Sequence, residues 1–204
     1  MIHLDRWQKE ILETKGNLLV CSGRQMGKST IISIKASKFA CENGNKSILI
    51  VSSTERQAEE LFLKCLDYIE INYKRLIKRG RERPTKSVLR LTNGSIIRSL
   101  PTGSTGSGIR GFTISMLIVD ECAFVQDEIF SAITPMLLTT GGDIILVSTP
   151  HGRFGYFWEC YNNPDFKVFH VDSEKAILER EISSTWSETQ RENAIKHLES
   201  EKKR

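Results

Sequence analysis

Nine residues, "SGRQMGKST" (22–30), constrain this chain more than any other stretch. They follow the apolar run "NLLVC" (17–21) and open "KSTIISIKASKFACEN" (28–43), which reads as a helix stopping before Gly44. A buried strand, a glycine loop and a helix, in that order, aim backbone N–H groups and a helix N-terminus at an anion. The spacing is close to G-x-x-x-x-G-K-[ST]: Gly27, Lys28 and Ser29 are in register, but Ser22 stands where the first glycine is usual and Arg24 lies inside the loop. Glycine suits the loop ends because backbone approaches phosphate closely there, and serine is small enough to keep that approach. On this reading Lys28 reaches the β- and γ-phosphates of ATP, and Ser29 holds Mg²⁺. Ser22, Gly23, Arg24, Gln25, Met26, Gly27 and Thr30 complete the nucleotide-binding loop.

The remaining pattern fits that start. "SILIV" (47–51), "SMLIVDE" (115–121), "DIILVSTP" (143–150) and "KVFHV" (167–171) are further buried strands. They alternate with helical segments: 4–16, ending at Gly16, the amphipathic 54–77 with Thr54 as N-cap, 127–138 with Pro135 kinking or ending it, and a short one within 153–163. "SVLRL-TNG-SIIRSL" (87–100) alternates about Asn93-Gly94 and predicts a hairpin. "PTGSTGSGIRG" (101–111) is glycine- and serine-rich and predicts a mobile loop. The tail 187–204 is polar and helix-prone, with a thin apolar face at Ala194, Ile195 and Leu198. The expectation is an α/β three-layer sandwich on a mostly parallel sheet, with ligands at the carboxyl ends of the strands.

Two further strand ends carry chemistry. In "MLIVDECAF" (116–124) four apolar residues run into Asp120-Glu121, a Walker B pattern. Alone, such a pair can simply end a strand. Downstream of a phosphate loop, Asp120 reads as an Mg²⁺ ligand and Glu121 as the base that orients and deprotonates water. In "ILVSTPHG" the strand ends at Ser148-Thr149-Pro150, whose hydroxyls suit sensing of a γ-phosphate. About twenty residues before the loop, the Gln8 amide offers the donor and acceptor that fit an adenine edge. Trp7 beside it stacks on the base or fills the core. Arg110 and Arg24 are candidates for stabilising charge on the transferring phosphoryl group. Their plainer readings are a solvated loop arginine and a structural ion pair.

Net charge is +4, compatible with a polyanionic partner without requiring one. Eight cations between Lys74 and Arg90, relieved only by Glu82, form either a phosphate-backbone contact or a solvated face. The five cysteines are odd in number and hold no C-x-x-C pair, which argues against disulfides and zinc and for a reducing compartment. Asp5, Arg6, Lys9 and Glu10 interrupt any signal-peptide pattern, and no apolar run approaches the roughly 18 residues of a membrane span.

Together "LDRWQKEIL", "SGRQMGKST", "GSGIRG", "MLIVDECAF" and "ILVSTPHGRFGYFW" resemble the ATPase domain of the large terminase subunit of tailed viruses and prophages, over about residues 1–175. The resemblance implies a P-loop NTPase core of the additional-strand, conserved-glutamate (RecA-like) type that hydrolyses ATP with Mg²⁺ to move double-stranded DNA into a capsid. It implies a homo-oligomeric ring, commonly a pentamer, at the portal protein, a small terminase subunit as partner, and the host cytoplasm as location. Gln8 matches the adenine motif, Arg24, Lys28, Ser29 and Thr30 the phosphate loop, Asp120 and Glu121 Walker B, and Ser148, Thr149 and Pro150 the coupling motif. Arg110 matches the finger that reaches a neighbouring subunit's ATP. The family's RNase-H-like nuclease has no counterpart here, so residues 176–204 are expected to lead toward a linker. The isolated chain is expected to be a monomer with weak ATPase and no nuclease activity. Two alternatives remain: a superfamily 2 helicase-like lobe, which shares a glutamine motif and a D-E-C-A box, and a non-catalytic ATP-binding assembly module.

Overall fold

The computed structural model describes residues 3–101, 113–184 and 186–202. In chain order the elements are α1 (Arg6–Glu13), β1 (Asn17–Ser22), α2 (Lys28–Glu42), β2 (Ser47–Ser52), α3 (Glu55–Asn72), β3 (Val88–Arg90), β4 (Ile96–Pro101), β5 (Met116–Asp120), α4 (Asp127–Ile133), β6 (Asp143–Ser148), α5 (Gly155–Tyr161), β7 (Phe166–Val171), α6 (Ser173–Glu179) and α7 (Glu188–Lys202). The strands form one sheet in the order β3-β4-β2-β5-β6-β1-β7. Every pairing is parallel except the β3–β4 hairpin.

This is the expected α/β sandwich, and alternation along the central strands explains its three layers. Leu18, Val20, Ile48, Ile50, Ile118 and Ile145 face one way, into a core shared with α1, α2 and α3. Leu19, Leu49, Val51, Leu117, Val119 and Leu146 face the other way, against α4 and α5. Strand β6 stands between β1, which feeds the glycine loop, and β5, which carries Asp120. That interposed strand is the defining feature of the additional-strand type.

Most predicted boundaries hold within two residues. Thr54 caps α3, its hydroxyl accepting from Gln57 N–H. That helix ends at Asn72 rather than 77, because Ile77 leaves it to pair with Leu91 at the sheet edge. Tertiary pairing overrides local helix propensity there. Helix α4 ends at Ile133, and a 3₁₀ turn containing Pro135 follows. Helix α6 has no counterpart among the expected segments. Asp172 is its N-cap, Oδ1 accepting from Glu174 N–H and Lys175 N–H, and residues 175 and 176 both lie within it. The loop 101–111 is outside the described residues save Pro101, and Arg110 with it.

Helix α1 is tied to the rest by Lys35 of α2, whose Nζ donates to the carbonyls of Ile11, Leu12 and Thr14 (3.0, 3.3 and 2.6 Å). A cation on the final carbonyls of a helix satisfies acceptors that have no partner within the helix. No helix among the described residues is long and apolar enough to cross a membrane.

Candidate active site

The carboxyl ends of β1, β5 and β6 converge, and each supplies one part of the site. After β1 the chain makes a tight loop in which Gln25 (φ 60°) and Gly27 (φ 88°) are left-handed. Left-handed backbone is the conformation glycine adopts without strain. A Cβ on Gly27 would sit 2.7 Å from Gln8 Nε2. A Cβ on Gly23 would overlap Ser173 Oγ, so helix α6 packs directly against the loop. Ser22 is buried as the last residue of β1.

Lys28 is buried at the start of α2, its Nζ donating to the carbonyls of Ser22 and Gly23 (2.9 and 2.8 Å). Burial lowers its pKa from the usual lysine value, and the charges of Glu121 and Asp120 oppose that shift. Ser29 and Thr30 follow in the first turn of α2 and are partly exposed. A hollow of about 330 Å³ is lined by residues 24–30, Lys64 and Glu121. Arg24 is exposed on its rim and forms no ion pair among the described residues. The structural-brace reading of Arg24 therefore has no partner here.

Asp120 ends β5 and is buried. Burial, then the neighbouring charge of Glu121, push its pKa to about 6. The Glu121 N–H (3.1 Å) and the charges of Lys28 and Lys64 pull it back down. Glu121 itself is left-handed (φ 49°). For a non-glycine residue this is an uncommon, strained conformation, of the kind found at functional turns. Its Oε2 meets the end of β6 three times: Ser148 Oγ at 3.4 Å, Thr149 Oγ1 at 3.4 Å and Thr149 N–H at 3.5 Å. Ser148 Oγ also accepts from Ala123 N–H at 3.2 Å, which ties the turn after Glu121 to the same strand.

Ser29 and Asp120 offer oxygen donors only, the chemistry of a hard cation. Among the described residues no cluster of three His, Cys, Asp or Glu could hold an ion alone. These two residues fit Mg²⁺ as it is usually bound, by one carboxylate and a hydroxyl together with substrate phosphates.

At the front of the site Gln8 Oε1 accepts from Asp5 N–H (2.8 Å) and its Nε2 donates to the Gly27 carbonyl (3.4 Å). Gln8 thus bridges α1 to the loop. Trp7 does not come with it. Successive helical residues point about 100° apart, and Trp7 packs on the core and lines a separate hollow with His170 and Asp172. Of its two expected readings, base stacking or core filling, this packing fits the second. A larger hollow, about 590 Å³, lies between α4 and α5, but its charged lining is acidic (Asp127, Glu128), the wrong sign for phosphate.

Lys64 carries no signal in the sequence. It sits midway along α3, where a lone lysine on an amphipathic helix looks like any solvated charge, and only the packing of α3 brings it to the hollow. The contribution of α6 is equally hidden, although Asp172 before "SEKAIL" is a legible N-cap signal.

Comparisons with known proteins place this geometry. The sequence model of the family described as "Terminase large subunit, T4likevirus-type, N-terminal" matches residues 19–194. The large terminase subunit of Thermus phage G20c is 25% identical over 76% of this chain and 39% of its own length. The chain therefore spans about two fifths of that curated relative. Among solved structures, the large terminase ATPase domain of Thermus phage P74-26 superposes with a TM-score of 0.71 at 24% identity, covering 87% of this chain and 84% of that one. The large terminase of a second thermophilic bacteriophage, in complex with ADP, gives 0.71 at 10% identity, over 89% and 48%.

Proposed function

This chain belongs to the T4-like-virus-type family of terminase large subunits, and we propose that it hydrolyses ATP to drive double-stranded viral DNA into a capsid. The observation that carries this reading is the convergence of Lys28 with Asp120 and Glu121, the latter tethered to Ser148 and Thr149 on the interposed strand. The ADP held by the second thermophilic-phage terminase supports a nucleotide as ligand here.

In the proposed mechanism the backbone N–H groups of residues 23–28 and the N-terminus of α2 receive the phosphates. Lys28 exchanges its carbonyl partners for phosphate oxygens, a gain for an ammonium that burial has made costly to charge. Ser29 and Asp120 would hold Mg²⁺, which would supply positive charge against the phosphates. Glu121 orients a water for in-line attack and takes its proton. As the γ-phosphoryl group leaves, Ser148 and Thr149 report the change to β6 through Glu121. Gln8 reads the adenine edge by trading its long contact with Gly27 for the base. Arg24 and Arg110 stabilise the developing charge, Arg110 from a neighbouring subunit of a ring. Portal protein and small terminase subunit are the proposed partners, and the host cytoplasm the proposed location.

Phosphate release from ATP tests the reading. Glu121→Gln is expected to lower turnover about 100-fold or more while keeping nucleotide affinity. Wild-type turnover per subunit is expected to rise with protein concentration, and Arg110→Ala to abolish that rise. Full turnover by Glu121→Gln would sink the catalytic assignment. Concentration-independent turnover unaffected by Arg110→Ala would sink the finger in trans.

A further inference from the structure

The chain's charge is segregated. Residues 74–90 hold eight cations and one carboxylate, net +7, so the other 187 residues carry net −3 against the whole chain's +4. In the fold this segment leaves α3, crosses two 3₁₀ turns and returns as edge strand β3. Lys74, Arg75, Arg79, Arg81, Arg83 and Lys86 are exposed. The segment's one ion pair is Lys78 to Glu82 (2.9 Å), so among the described residues most of its positive charge is not neutralised by ion pairs.

The segment is held at both ends. Lys78 N–H donates to the Arg90 carbonyl, Thr92 N–H to the Leu76 carbonyl, and Thr85 N–H to the Val88 carbonyl. Register then places Arg90 and Arg98 as diagonal neighbours on one face of the β3–β4 hairpin, with buried Leu89 and Ile97 on the other. Arg98 donates to Ser47 Oγ (3.2 Å) and, with Lys46, lines a hollow of about 320 Å³ on that face. The cations thus continue from the edge onto the face of the sheet. Like charges gathered in this way repel one another, and a polyanion relieves that repulsion.

We propose that this β3–β4 edge, with the basic segment leading into it, is a contact surface for the phosphate backbone of duplex DNA. The choice of DNA among polyanions rests on the packaging reading above. Guanidinium groups dominate the surface, and their planar forks fit phosphate in two-point contacts. Aromatic rings are absent from residues 74–90, so the surface lacks the stacking platforms used for single strands. Phosphate contacts carry no sequence information, which suits a motor that must move any sequence.

Fluorescence anisotropy of the 204-residue chain with a labelled duplex of about 30 base pairs, roughly three helical turns, tests this without nucleotide. The variant Arg79→Ala/Arg81→Ala/Arg83→Ala is expected to bind at least tenfold more weakly at low salt. Its slope of log affinity against log salt is expected to flatten by about 2 to 3. The control Lys9→Ala/Lys15→Ala/Lys196→Ala removes three cations elsewhere and is expected to bind like wild type. Three results overturn the proposal: a triple-arginine variant within about twofold of wild type, an equal loss in the control, or single strands or anionic vesicles competing as well as the duplex. Phosphate release measured without DNA on the same proteins is expected to be equal. If none of them hydrolyses ATP the catalytic reading fails, while the binding comparison still decides this surface.

Discussion

Arg180 closes a two-point ion pair on Asp5, 175 residues earlier in the chain, with Nε at 3.1 Å and Nη2 at 3.0 Å from Oδ2. Asp5 precedes α1, and its own N–H holds the Gln8 amide that reaches the glycine loop. Arg180 lies over the Trp186 ring, and its carbonyl accepts from Arg191 of α7. A continuous set of contacts thus runs from the glycine loop to α7. The pair is mostly buried, 24% and 9% exposed. Arg180→Ala is expected to lower unfolding free energy by about 2 kcal/mol, between surface and fully buried pairs. Proteolysis within residues 180–202 should accelerate while α2 stays protected. A variant with unchanged melting and cleavage would show that the clasp contributes nothing.

Glu121 and Thr149 form the second testable link. Thr149→Val removes one hydroxyl from Glu121 Oε2 and keeps the side chain's shape. If this contact positions the base, kcat should fall about tenfold while KM stays within a factor of two. A raised KM with kcat unchanged would assign Thr149 to ground-state binding instead.

How much of this is legible in the sequence depends on whether the signal is local. The loop 22–30, the Asp120-Glu121 strand end and the Asn93-Gly94 hairpin are set by neighbouring residues, and each stands where the pattern predicts. Gln8 stands out for its chemistry, yet its bridge to Gly27 depends on the angle of α1. Trp7, one residue away, packs on the core, and no local signal in the sequence separates that role from stacking on a base. Lys64, Ser173 and Arg180 are invisible in the sequence because their roles are made by packing between elements far apart along the chain.

Lys64 lines the same hollow as residues 24–30, and its charge reaches Asp120. Lys64→Ala should raise KM for ATP about three- to tenfold with smaller effect on kcat, as expected for a point charge on bound phosphate. Lys64→Arg should recover most of the loss. If Lys64→Ala leaves both parameters unchanged, the lysine is a solvated surface charge.

Gly23 and Ser173 test the packing of α6 against the loop. A methyl at 23 would overlap Ser173 Oγ, so Gly23→Ala must displace either the loop or the helix. Overpacking of this kind costs roughly 1 to 3 kcal/mol. Adding Ser173→Ala removes the overlapping oxygen, and the double variant should regain most of the lost stability and ATP affinity. Additive losses would place the effect of Gly23→Ala in the loop backbone instead.

Asp120 links the site to stability through its proton. Its pKa rises from an ordinary 3.8 to about 6 on folding, chiefly by burial. The folded protein therefore holds this proton more tightly than the unfolded chain. That contribution is fully present below about pH 4 and is lost as pH rises through 6. At pH 8 the charged carboxylate opposes folding by up to about 3 kcal/mol. Asp120→Asn, neutral at every pH, should melt several degrees above wild type at pH 8 in EDTA without nucleotide. The two proteins should melt together near pH 4, and the variant should lose hydrolysis. If Asp120→Asn melts at or below wild type at pH 8, the buried charge is compensated in the folded state and the assignment of strain to this carboxylate fails.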